Sequence, residues 1–168
     1  MTALPAEPVA AAPVAVAPVV APRACVFRCG GTAYALPVTM VREVAMLPRL
    51  TPVPRMPPQI RGVASLRGLL LPVVDPAPLL GHGPWVPLPV APVVVLKDGA
   101  QDVGLAVEAI AGLLPMDALC ALPPALSPAV VHLASGAFLV EGRPVVLLEG
   151  ERLLAALRPA PADAPGIA

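Results

Sequence analysis

The chain runs to 168 residues, 57% hydrophobic and 13% charged, with 26 prolines and an aromatic fraction of 2%. That length fits one compact unit with a core of its own, and since Pro breaks helix interiors while Val-rich runs suit pleated strands, the composition points to short strands with many turns. Net charge is zero, from 11 basic and 11 acidic residues, which excludes the electrostatic footprint of a nucleic-acid binder or a polybasic membrane binder.

Residues 1–23 are mostly Ala, Pro and Val without period, the composition of an extended Pro-rich tail rather than a packed element. They do not read as a signal peptide: residues 9–22 are apolar, but no basic segment precedes them, and Pro13, Pro18 and Pro22 interrupt any helix. No uninterrupted apolar run reaches the roughly 18 to 20 residues that span a bilayer, and a cytoplasmic protein is expected. The folded unit is expected over 24–158, with 159–168 a second flexible tail. Near its start, Cys25 and Cys29 sit on a strand in the manner of small core residues. With Cys120 they form an odd set without a CxxC pair, which fits a reducing compartment. Gly30-Gly31 reads as a hairpin turn, being too short and lacking the Lys of a phosphate loop.

From Arg61 the chain repeats itself at an offset of 74 residues. The segment 61–75 lines up without gaps on 135–149: Gly62 and Gly68 fall on Gly136 and Gly142, Asp75 on Glu149, and the closing Leu79-Leu80 on Leu153-Leu154. Each copy reads as strand, Gly turn, strand and a short helical turn, the helical turns near 76–80 and 151–157. A looser echo pairs 35–41 with 104–110 at an offset of 69. Each module alone is near or below the size at which a core sustains itself, so the two should share apolar surface, as two small barrels side by side. The charges are sorted as well. Residues 24–81 hold six Arg against Glu43 and Asp75, and 82–168 hold four basic against eight acidic side chains. Solvated surface is the simpler reading of that asymmetry, with partner contact the other. Trp85, the only Trp, lies in the Pro-rich loop 82–92, where it either anchors a partner or covers a barrel edge.

No catalytic constellation is visible. His82 and His132 have no carboxylate nearby in sequence, and Ser65 lacks a nucleophile-elbow context. Cys25, Cys29, Cys120 and His132 supply four metal ligands in number, but not at the spacing of common zinc sites. A small metal-dependent or thiol-dependent enzyme built on those four is the alternative of a different class.

Several separated motifs occur together: Phe27; Tyr34-Ala35-Leu36-Pro37-Val38; Val41-Arg42-Glu43-Val44; Thr51-Pro52-Val53-Pro54; Ile60-Arg61-Gly62-Val63; Leu66-Arg67-Gly68; and Leu71-Pro72-Val73-Val74-Asp75. Continuing through Val93-Val94-Val95-Leu96 and 103–108 to Leu153-Leu154, they resemble the signature of CheW-type domains over nearly all of 24–158. The resemblance implies a mainly β fold of two five-stranded, SH3-like barrel subdomains sharing a hydrophobic interface. It implies a non-enzymatic adaptor without a cofactor or metal, a kinase carrying such a domain being a much longer chain. Its partners would be the regulatory domain of a CheA-type histidine kinase and the cytoplasmic tip of a methyl-accepting chemoreceptor, the latter gripped in a groove between subdomains. The protein would be cytoplasmic, recruited to membrane-associated receptor arrays.

By the same resemblance Val41, Glu43, Gly62, Arg67 and Gly68 carry over as receptor-binding or kinase-binding positions. Glu43 and Arg67 are an acid and a base that family members bring together, fixing the Arg fork at the binding surface; otherwise Arg67 is a solvated hairpin tip. The repeat sets Glu141 opposite Arg67, a charge reversal on a shared scaffold. Val41 is open between core and contact, and Gly62 and Gly68 answer first to backbone geometry. Ser65 stands where Asn is common in the family, and with the Pro-rich loop and long tails it marks a divergent adaptor. A degenerate CheW-like decoy without kinase contact is a further alternative.

Overall fold

A computed structural model of the chain describes residues 21–48, 50–83 and 89–158. The expected tails, apart from residues 21–23, and Trp85 lie outside the described residues. Ten strands are described: β1 (Arg23–Cys29), β2 (Thr32–Pro37), β3 (Val41–Leu47), β4 (Ile60–Leu66), β5 (Leu69–Val74), β6 (Ala91–Leu96), β7 (Val103–Ala106), β8 (Ala109–Pro115), β9 (Ala134–Val140) and β10 (Arg143–Leu148). Two short helices, α1 (Pro128–Leu133) and α2 (Gly150–Leu157), complete the fold. The strands form two five-stranded sheets, ordered β8-β1-β2-β10-β9 and β3-β6-β7-β5-β4. The mainly β class and the two five-stranded units are as expected. The hydrogen-bonded order of each sheet runs from one edge strand to the other among the described residues, and the two sheets pack against each other through a shared core.

The two sheets correspond strand for strand, and the correspondence is crossed. Strands β1 and β2 lie in the first sheet with β8, β9 and β10; β6 and β7 lie in the second with β3, β4 and β5. Each half of the chain therefore starts in one sheet and finishes in the other. The repeat at offset 74 is the pair of hairpins β4–β5 and β9–β10, and the echo at 69 is the pair of crossings β2→β3 and β7→β8. Local irregularities repeat too. Arg61 and Ser135 are the extra residues of equivalent bulges, as are Arg42 and Ala111. The isolated bridges Thr51–Val63 and Cys120–Ala137 are equivalent in the same way. Both hairpins turn on two residues of positive φ, Arg67 (51°) with Gly68 (81°) and Glu141 (51°) with Gly142 (75°), the two-residue turn whose twist matches the strands.

Burial follows from this arrangement. Along β1, Cys25, Phe27 and Cys29 face the other sheet while Ala24 and Val26 face a core within their own. Along β6, Val94 and Leu96 face the shared core while Val93 and Val95 face inward within theirs. A strand buried on both faces loses the alternating pattern and reads as a continuous apolar run, as Val93–Leu96 does. The shared core is closed by Val130 and Leu133 of α1 and by Leu153, Leu154 and Leu157 of α2, the last three on one helical stripe. Sequence reasoning did not anticipate α1. Its start is nevertheless encoded: Ser127 Oγ accepts from Val130 N at 3.4 Å, and Pro128 occupies the first turn, where its missing N–H costs nothing. At the expected turn near 76–80, Leu80 N donates to Pro76 O (3.0 Å) and His82 N to Ala77 O (2.9 Å). No helix among the described residues is long and apolar enough to cross a membrane.

Candidate functional site

Strand β3 is an edge strand, paired only with β6. Its bulge, which sets Val41 opposite Leu96 and Glu43 opposite Val95, leaves Arg42 as the additional residue. Bulges re-aim side chains, and here the consecutive residues Arg42 and Glu43 both line one groove instead of pointing to opposite faces. The far wall is the β4–β5 hairpin. From its tip Arg67 Nη2 donates to Glu43 Oε2 at 2.9 Å, joining the acid and base singled out in the sequence. The groove has a volume of about 740 Å³ and also includes Leu69, Leu70 and the loop residues Gly99–Asp102. Leu69 and Leu70, directly after the turn, are 72% and 70% exposed. Asp102 forms an ion pair with Arg42 across the opening. The groove lies on the second sheet alone and not between the two sheets, because all three of its walls come from β3, the β4–β5 hairpin and the β6–β7 loop.

The remaining positions carried over from the resemblance are structural in their immediate surroundings. Val41 is buried in the shared core, so its side chain is not a surface contact. Gly62 has a φ of 150°, and a Cβ there would overlap the carbonyl oxygen of Thr51, whose bridge to Val63 passes directly over it (Val63 N to Thr51 O, 2.9 Å). Gly68 has no atom within 4 Å of where its Cβ would be, but its φ of 81° favours Gly. Glu141 sits at the tip equivalent to Arg67 with the same backbone angle.

Two further ion pairs were not legible as such. Asp75, the one buried charged residue among those described, receives Arg61 Nε at 3.2 Å and Ala77 N at 2.9 Å, tying the bulge of β4 to the turn after β5. The pairing of Arg42 with Asp102 joins residues 60 apart, and no local pattern announces it. Elsewhere, Tyr34 Oη and His82 Nε2 lie 2.7 Å apart, and the Glu108 carboxylate accepts from Gly30 N (2.7 Å) and Gly31 N (3.3 Å), which holds the expected β1–β2 turn.

The structure does not bring Cys25, Cys29, Cys120 and His132 together. Among the described residues, no three His, Cys, Asp or Glu gather where they could hold a metal. Cys25 and Cys29 are four residues apart on β1, about 13 Å at strand rise, and both are buried. Burial pushes the Cys29 thiol up to about 12, with Asp75 and Glu108 adding to the shift, away from the thiolate that does chemistry.

The family model described as "CheW-like domain" matches residues 23–158. Among curated proteins, the chain is 30% identical over 125 residues to the chemotaxis protein CheW of Rhizobium meliloti, covering 73% of this chain and 81% of that one. It is 42% identical over 55 residues to the protein PilI of Pseudomonas aeruginosa, covering 33% and 31%. Among solved structures, the scaffolding protein TtCheW of Thermoanaerobacter tengcongensis superposes with a TM-score of 0.66 at 23% identity, covering 77% of this chain and 89% of that one.

Proposed function

The chain belongs to the family of CheW-like domains, and on that premise we propose that it is a non-enzymatic adaptor coupling chemoreceptors to a CheA-type histidine kinase. The observation that carries the reading is the Glu43–Arg67 pair at 2.9 Å on an exposed hairpin beside Leu69 and Leu70. A cationic fork held by one carboxylate keeps donors free for a second, and two exposed leucines beside it form the apolar centre that a protein partner buries. In this reading the receptor tip docks on the surface that presents the Glu43–Arg67 pair, on the second sheet rather than between the two sheets as the resemblance implied, while another surface meets the regulatory domain of the kinase. The complex assembles in the cytoplasm at membrane-bound arrays.

The test is reconstitution of the chain with its cognate receptor and kinase. The expected outcome is co-sedimentation with receptor-containing membranes and receptor-dependent rise of kinase autophosphorylation. Binding to neither protein removes the reading. Receptor binding without kinase binding would identify a decoy instead.

A further inference from the structure

The groove holds two ion pairs of opposite polarity, and their exposure is not symmetrical. The guanidinium side chains are outermost, Arg67 79% and Arg42 50% exposed, while their partners Glu43 and Asp102 are 24% and 23% exposed. The carboxylates are tucked in as holders and the cations are presented. What a partner meets is therefore two positive forks on a groove that Leu69 and Leu70 also line. Each guanidinium carries five N–H donors in a fixed plane, so holding by one carboxylate fixes its direction and leaves donors outward.

We infer that the groove is a two-arginine clamp for an acidic protein surface with an apolar centre, and that Arg42 is a specificity-determining contact equal in standing to Arg67. This rests on the adaptor reading and names the receptor tip as occupant. Complementarity of charge chooses the partner's chemistry, carboxylates around apolar side chains, because neither guanidinium can accept a hydrogen bond or take a proton off a cation. The bulge makes the second arm possible, since in regular pairing Arg42 and Glu43 would face opposite sides of β3. The equivalent edge of the other sheet shows that the scaffold does not require it. There the bulge carries Ala111 and Gly112, and the hairpin tip carries Glu141, so that surface has neither arm.

The test measures affinity of the full chain for a soluble fragment of the receptor tip and, separately, for the kinase regulatory domain, at two salt concentrations. Arg42→Glu is expected to weaken receptor binding at least tenfold and to flatten its salt dependence, with kinase binding changed less than twofold. Asp102→Asn, which leaves Arg42 in place, is expected to keep receptor affinity within threefold. An unimpaired Arg42→Glu beside a defective Arg67→Glu overturns the clamp and leaves the adaptor reading standing. Equal loss toward both ligands overturns it as a fold effect, and loss toward the kinase alone overturns the occupant. No binding of the unaltered chain to the receptor fragment strikes the adaptor reading and the clamp together.

Discussion

Arg67 and Asp75 lie eight residues apart, and each belongs to an ion pair, but the two pairs do different work. Arg67 is solvent-exposed, so its attraction to Glu43 is screened and contributes about 0–1 kcal/mol. Arg67→Ala is expected to shift the denaturant midpoint by no more than that while weakening receptor coupling; a loss of several kcal/mol would show a structural residue. Asp75 is buried against Arg61 and the Ala77 amide. Asp75→Ala removes the buried acceptor that holds the Ala77 amide and the turn after β5, and the expected loss is about 1–3 kcal/mol in equilibrium unfolding. The sequence resemblance found Glu43 and Arg67 because both stand in short motifs. Arg42 stands in one of the same motifs, but its pairing with Asp102 depends on a bulge and on a loop from the other half of the chain, which no motif shows.

Two buried groups also set an alkaline limit. Burial raises the Cys29 thiol from 9.0 to about 12 and the Tyr34 hydroxyl from 10.0 to about 12, with the neighbouring Cys29 adding to the latter. Raised folded-state values mean that the unfolded chain ionises first. The stabilisation is whole below pH 9 and is lost as pH climbs from 9 toward 12. Urea midpoints measured between pH 7 and 11 are expected to fall more steeply above pH 9, and Cys29→Ala to soften that fall. A midpoint that stays level to pH 11 contradicts the burial of these groups.

At the level of elements, the hairpins were the most legible part of the chain. Gly68 and Gly142 stand where a two-residue turn needs positive φ, and the apolar runs around them repeat at a fixed offset, so the β4–β5 and β9–β10 pairs could be read from letters alone. Gly62 was read as a backbone requirement, but its cause, the crossing of Thr51, is a contact between segments distant enough to be invisible in a linear pattern. Gly62→Ala is expected to cost roughly 1–3 kcal/mol or more, since the Thr51 carbonyl must move, whereas Gly68→Asn, with open space around it and a residue that tolerates the left-handed region, should cost less. The ordering of the two midpoints is the measurement. Helix α1 was missed although Ser127-Pro128 is a legitimate start signal; six residues in a Pro-rich stretch gave no periodicity to follow it.

For the whole molecule, the repeat announced two related units but not how the chain divides between them. Strands β3 and β8 look the same in sequence whether they stay with their own half or cross to the other, because each needs only an edge and an apolar neighbour. Crossing makes the halves interdependent: each sheet takes two strands from one and three from the other. Fragments 21–83 and 89–158 are accordingly expected to be unfolded alone and to recover β structure when mixed, as followed by circular dichroism. A fragment that unfolds cooperatively by itself would contradict the crossed arrangement.

That crossing has a genetic side. Two copies of a five-stranded ancestor that exchanged their last three strands would form a symmetrical dimer, in which every mutation strikes both binding faces at once. Joining the copies into one polypeptide ends that bond, because Arg67 and Glu141, or Arg42 and Ala111, become separate codons. A chain of this kind can sharpen one face for one partner while the other drifts, reverses its charge, or is recruited elsewhere, without ever giving up the shared interior that keeps both folded.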